Sequence, residues 1–182
     1  MRIIGGIHKG RKLKPVKGLK IRPTTDKVRE SIFNVLADRL EDSVVLDLFA
    51  GSGAMGIEAL SRGAAHVTFV DRDFDAINLI KSNLELVNEV ENSRVLKGDV
   101  FRVCRRLGGQ AQGYRIIFAD PPYRAAFHNE LVGLILANGL LVPMGVMVYE
   151  TGSQFEFSEN LDCFKEIKIK TYGDTKTWFL FL

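Results

Sequence analysis

Apolar positions along this chain switch repeatedly between two spacings. Short β-branched runs occur at Val44–Leu48, His66–Val70, Arg94–Leu96, Tyr114–Ala119 and Val146–Glu150, and each reads as a buried strand. Between them, apolar residues recur three and four apart, which predicts helices over Ala54–Arg62, Phe74–Asn88, Phe101–Leu107 and His128–Asn138. Gly63 and Gly139 follow two of these helices at the position where a left-handed residue ends a helix. Ahead of the first strand, Val28, Ile32, Phe33, Leu36 and Leu40 share one helical face, with Lys27, Glu30 and Asn34 opposite. Thr24 or Thr25 would cap that helix, and Asp26 in its first turn suits the macrodipole. Strands alternating with helices predict an α/β fold: a mostly parallel sheet, right-handed crossovers and helices on both faces.

Two segments depart from this alternation. Phe164–Tyr172 and Lys176–Leu182 flank Gly173-Asp174 and predict an antiparallel C-terminal hairpin at one sheet edge. Met1 to Leu13 alternates apolar and basic stretches around Gly5-Gly6 and Lys9-Gly10, which predicts a small N-terminal β-hairpin. Pro15, Gly18 and Pro23 then keep the chain extended or turning. The expected organisation is an arm over 1–24 and one compact domain over 25–182.

Composition adds bounds. At 182 residues the chain suits one domain, and 46% hydrophobic with 26% charged residues is ordinary for a globular protein. No apolar run approaches a membrane span and no h-region opens the chain, so a cytoplasmic protein without membrane contact is expected. Cys104 and Cys163 lie far apart without metal-ligand spacing; buried, reduced thiols are expected, with neither a disulfide framework nor a metal site. The net charge of +3 conceals an asymmetry. Residues 1–30 hold ten Lys and Arg against Asp26 and Glu30, whereas the rest holds 15 against 20 acids. Such an arm is either a solvated basic surface or a grip on a polyanion, with Arg2, Lys9, Arg11, Lys12 and Arg22 the candidate contacts.

Candidate chemistry concentrates at strand ends. Asp47-Leu48-Phe49-Ala50-Gly51-Ser52-Gly53-Ala54-Met55-Gly56 is a strand end, a glycine turn and a helix start, the opening of a nucleotide-cofactor fold. Asp47, Asp71, Asp99 and Asp120 each close or follow a strand, so in a parallel sheet they converge on one crevice. Any one of them could simply cap a helix. Together they suit a ribose diol, an adenine amine and a cationic methionine head; Asp71 alone also fits NAD. Asp120-Pro121-Pro122-Tyr123 separates these readings. Each proline fixes φ and restrains its predecessor, giving a stiff loop. Asp120 and the Pro121 carbonyl could accept both hydrogens of an exocyclic base amine, and Tyr123 could stack on the base and align it. The bland alternative is a rigid loop with a core aromatic.

These residues resemble the class I S-adenosylmethionine-dependent methyltransferases, and more closely the bacterial 16S rRNA (guanine-N2)-methyltransferases. The resemblance runs through Met1-Arg2-Ile3-Ile4-Gly5-Gly6, Lys9-Gly10-Arg11, Arg22-Pro23-Thr24-Thr25-Asp26, Val28-Arg29-Glu30-Ser31, the glycine loop, Gly56 to Ala64, and Asp120 to Tyr123. It implies a Rossmann-like seven-stranded sheet with an N-terminal hairpin extension. By that resemblance Asp47, Ala50, Gly51, Ser52 and Gly53 would hold the methionine part of S-adenosyl-L-methionine. Asp71 would hold the ribose, Asp99 and Val100 the adenine, and Asp120, Pro121, Pro122 and Tyr123 the target guanine. Family members often carry Glu where this chain has Asp71. The implied partner is 16S rRNA or the assembling small ribosomal subunit, with no obligate protein partner. Three rivals remain: an adenine-N6 or cytosine-N4 DNA methyltransferase, an NAD-dependent oxidoreductase, and a non-catalytic ribosome-assembly factor. The first lacks room for a target-recognition domain, the second leaves the tetrapeptide unexplained, and the third needs neither loop.

Overall fold

The computed structural model describes residues 1–15, 26–109, 113–122, 127–158 and 161–182. Its strands are β1 (Val44–Leu48), β2 (His66–Asp71), β3 (Ser93–Lys97), β4 (Tyr114–Ala119), β5 (Leu141–Gly152), β6 (Glu166–Tyr172) and β7 (Thr175–Phe181). They form a seven-stranded sheet in the order β3-β2-β1-β4-β5-β7-β6. β1 to β5 are mutually parallel, and β7 runs antiparallel between β5 and β6. The chain winds outward from β1 to β3 and then resumes on the other side at β4. The reversal opens a crevice beyond the carboxyl ends of β1 and β4, where ligands of such sheets bind.

Five helices pack the two faces: α1 (Asp26–Val35), α2 (Ala54–Ser61), α3 (Phe74–Val87), α4 (Val100–Leu107) and α5 (His128–Ala137). One core joins the N-terminal arm, α1, α2 and α3 to Val45, Phe69, Phe118 and Val148. The other joins α4 and α5 to Leu46, Val70, Ile117 and Tyr149. Odd and even strand positions therefore face different cores, as the pleat requires. None of the helices among the described residues is long and apolar enough to cross a membrane.

Most expected elements stand where the periodicity puts them, with ends shifted by a residue or two. Two expectations need correction, and the N-terminal hairpin is met in short form: Arg2 and Lys12 bridge antiparallel, flanked by backbone bonds from Ile3 to Arg11, Gly10 to Ile3 and Leu13 to Met1. β5 begins at Leu141, which pairs with Tyr114 across a register shift; the intervening Pro143 and Met144 are exposed and Met144 has φ 63°. Cys163 is exposed, whereas Cys104 is buried and its thiol is pushed up to about 12 by desolvation. The Thr24 and Thr25 caps, and the 24/25 boundary, lie outside the described residues.

The arm is fastened by buried side chains that periodicity does not single out. Glu58, fully buried on α2, accepts from the Ile4 and Gly5 amides at 2.7 and 2.8 Å and from Arg62 Nε at 2.7 Å. Ser61 Oγ donates to the Gly5 carbonyl and accepts from the His8 amide. His8 Nε2 lies 2.6 Å from Glu89 Oε1. Asn83, on α3, accepts from the Lys14 amide at 2.8 Å and donates to both the Lys14 and Ser52 carbonyls. One amide thus ties the end of the arm to the glycine loop.

Candidate active site

The turn after β1 is built by three glycines for two different reasons. Gly51 and Gly53 have φ of +54° and +77°, which a Cβ would strain, whereas Gly56 lets α2 approach β2: a Cβ there would meet the Phe69 ring at 2.3 Å. Phe49 is also left-handed, at φ 59°, so the chain reverses sharply at the strand end. Ala50 donates to the Val70 carbonyl and Gly53 to the Ala50 carbonyl. The loop is therefore closed on itself and pinned to β2.

The four strand-end carboxylates meet different fates. Asp47 is buried, and its Oδ2 accepts from the Gly56 amide at 2.9 Å, capping α2 from a neighbouring strand. Desolvation, with the charges of Asp71 and Asp120, raises its carboxyl to about 8 against that hydrogen bond. Asp71 accepts from the Gly51 amide through Oδ2 at 2.8 Å and from the Asp73 amide through Oδ1 at 2.9 Å. Each of its oxygens keeps a further lone pair for a ligand. Asp99 caps α4 by accepting from the Arg102 amide, and the side chain of Val100 packs into the core below.

Asp120 differs from the other three. It follows β4 at the crevice, and among the described residues no donor bonds its carboxyl. Lost hydration among the strand ends raises it to about 6. Pro121 is buried and Pro122 exposed, so the loop leaves the sheet on a rigid anchor. Tyr123 lies outside the described residues. Phe127 stacks on Phe49 at 6.1 Å and meets Phe101 edge-on at 5.1 Å, which joins the β1, α4 and α5 sides of the crevice through aromatic contacts.

Parity puts Asp47, Asp71 and Asp120 on one face, since Val45, Phe69 and Phe118 share the first core. Asp47 is level with Phe118 on β4. Asp99 reaches the same crevice from beyond β3, whose Lys97 is level with Asp71. Sequence reasoning missed Asn83 and Glu58, whose only signal is polarity at a core-facing helical position, and Glu150, a carboxyl buried at the end of β5. Of the arm's candidate contacts, Arg2, Lys9, Arg11 and Lys12 are exposed. Arg2 pairs with Asp26 at 3.1 Å, and Arg11 donates to the Leu86 carbonyl. Arg22 lies outside the described residues.

Comparison with known proteins agrees with this geometry. A family model described as "Conserved hypothetical protein 95" matches residues 1–181. The "Putative rRNA methyltransferase YlbH" of Bacillus subtilis is 43% identical over 175 residues, covering 96% of this chain and 95% of that protein. The "Ribosomal RNA small subunit methyltransferase D" of Escherichia coli is 38% identical over 151 residues, covering 83% and 74%. A solved structure of the "Putative methyltransferase yhhF" from Escherichia coli superposes with a TM-score of 0.86 at 34% identity, covering 100% of this chain and 97% of the other.

Proposed function

Because the chain belongs to the family of the ribosomal RNA small subunit methyltransferase D proteins, we propose that it methylates the N2 amine of a guanine in 16S rRNA. The fold is that of the class I methyltransferases, and S-adenosylmethionine is the methyl donor. The single observation that carries the finer reading is Asp120, a carboxyl that no donor bonds among the described residues, at the sheet's switch point on a proline-stiffened loop.

The residues present fit the donor. The glycine turn forms a cradle without side chains at Gly51 and Gly53, beside a buried carboxyl at Asp47. A cation lodged there would favour ionised Asp47, offsetting the desolvation that raises it. Asp47 and Ala50 to Gly53 would hold the methionine end, Asp71 the ribose diol, and Asp99 with Val100 the adenine. When bound, the donor supplies a methyl already activated on a sulfonium, so the protein's task is positioning and charge.

An exocyclic amine is a poor nucleophile because its lone pair is delocalised into the ring. Ionised Asp120 and the Pro121 carbonyl, accepting its two hydrogens, favour a pyramidal nitrogen whose lone pair points at the methyl. Tyr123 stacks on the base and fixes its plane. Ionised Asp120, already accepting one N–H, would take the proton that the amine sheds on methylation and pass it to solvent. The base must leave its stack, which costs least for an unpaired nucleotide. The arm's exposed cations, Lys9 and Lys12, would bind the RNA backbone. The cytoplasm, where ribosomes assemble, is the compartment this activity requires.

The test is transfer of labelled methyl from S-adenosylmethionine to unmodified 30S particles, naked 16S rRNA and duplex DNA, with product nucleosides identified by mass. N2-methylguanosine from RNA is the expected product. Label only in DNA, as N6-methyladenine, would overturn the reading in favour of the DNA methyltransferase.

A further inference from the structure

The β4–β5 register pairs Phe118 with Val148 and Ala119 with Tyr149. It therefore carries Asp120 level with Glu150, one residue beyond the last pair. Phe118 and Val148 both face the first core, so Asp120 and Glu150, two residues further on, emerge on that same face. Side chains level on adjacent strands lie close enough for two carboxyls to touch. Glu150 is only 5% exposed, and among the described residues no donor bonds its carboxyl. On its other side Glu150 is paired with Thr177 of β7, whose hydroxyl is buried without a partner.

A buried hydroxyl without a partner beside a carboxyl that is 5% exposed makes a costly neighbourhood, and such groups persist where they serve a site. Resting on the reading of Asp120 as the amine's acceptor, we propose that Glu150 is its positioning residue: the two carboxyls share one proton across the β4–β5 seam. Glu150 donates to one Asp120 oxygen and leaves the other ionised, oriented towards the amine. Both carboxyls are raised by desolvation, to about 6 at Asp120 and about 8 at Glu150, and the charge of Asp120 adds to the second shift. Near neutral pH the pair then carries one proton and one charge. Asp120 is itself exposed and Glu150 buried, and two carboxyls in contact titrate as a unit.

Among the described residues, the groups around this pair come from a handful of elements. β4 brings Asp120 itself and β7 the neutral Thr177. β6 brings Lys170, level with Thr177, and Tyr172; both are engaged with Ser31 of α1. α1 also brings buried Arg29, bound to the Arg2 carbonyl and Asp26. β1 brings Asp47, held by Gly56. Tyr149 leaves β5 towards the other core, where its hydroxyl meets His128, yet it stands near enough that burial and the Asp120 charge together raise that hydroxyl.

Carboxyl ¹³C titration of the substrate-free full chain tests the pair directly. In the wild type the Asp120 signal should move in two steps, near the two values above. In Glu150→Gln, which keeps the shape, it should collapse to the lower step. A single Asp120 step, unmoved by the substitution, would overturn the proposal. Turnover gives the second readout. Glu150→Ala should lower kcat by about tenfold or more with KM for S-adenosylmethionine unchanged, and Glu150→Gln, which retains a donor, should restore most of it. Wild-type kcat in the alanine variant, or a glutamine variant as slow as alanine, would also overturn it. A wild-type enzyme that methylates no RNA would defeat the substrate reading alone, since the titration judges the pair without substrate.

Discussion

Asp71 and Asp120 occupy equivalent places, each closing a parallel strand on the same face of the sheet, yet they are held in opposite ways. Both oxygens of Asp71 are engaged by backbone amides, one from the glycine loop and one from its own turn. Asp120 has no donor among the described residues and opens a loop that Pro121 and Pro122 stiffen. A carboxylate fixed by amides can shape a cradle and still offer lone pairs to hydroxyls. A carboxylate without partners can give its whole accepting capacity to a substrate, at the cost of incomplete solvation before substrate arrives. The difference separates the part of the site that binds from the part that would react.

That separation can be broken by experiment. Asp120→Ala should reduce kcat by about a thousandfold or more while calorimetric affinity for S-adenosylmethionine changes by about twofold at most. Asp71→Ala should instead weaken that affinity by about tenfold, through the loosened Gly51 amide and lost ribose acceptor, and leave kcat at saturation nearly intact. Equal losses of kcat in both variants would erase the distinction.

Glu58 extends the comparison away from the crevice, as a carboxylate wholly consumed by structure. Its removal strands the Ile4 and Gly5 amides and the Arg62 guanidinium. Glu58→Ala should therefore cost about 2–3 kcal/mol in urea denaturation, with methyl transfer at saturating donor falling less than in Asp120→Ala. A stable variant with full arm protection in hydrogen exchange would place the arm's anchor elsewhere.

Asp47 stands between the extremes, bonded once but fully desolvated. Its carboxyl is raised to about 8 when folded, so between the unfolded value and that point the native state holds a proton the unfolded chain has released. Its contribution to stability is therefore complete in acid and is lost as pH climbs towards 8, by about 1 kcal/mol per pH unit. Asp47→Asn should flatten that slope in thermal melts of the protein without donor. A slope unchanged by the substitution would mean that Asp47 is already ionised in the folded protein.

Much of this was legible beforehand because it depends on neighbours in sequence. The glycine turn, Gly63 after α2 and the run of strand-end aspartates follow from local spacing, and the mostly parallel sheet follows from alternating strands and helices. The four aspartates looked alike because sequence shows where a side chain starts and not which amides it meets. Alternation likewise predicts the pairing between the arm's limbs, and it gives no notice that Glu58 and Ser61 would take the Ile4, Gly5 and His8 amides beside it.

Pattern and local chemistry by themselves determined the α/β class, the position of the crevice and the aspartates that close its strands, since period, turn residues and proline stiffness act over a few residues. Tertiary structure alone decided which of those groups are satisfied. Asn83 meets Lys14 and Ser52 across 69 and 31 residues, and Glu150 comes level with Asp120 through strand register. Burial and hydrogen-bond partnership are properties of what the chain brings together, and these set the charge, hydration and freedom of each carboxyl.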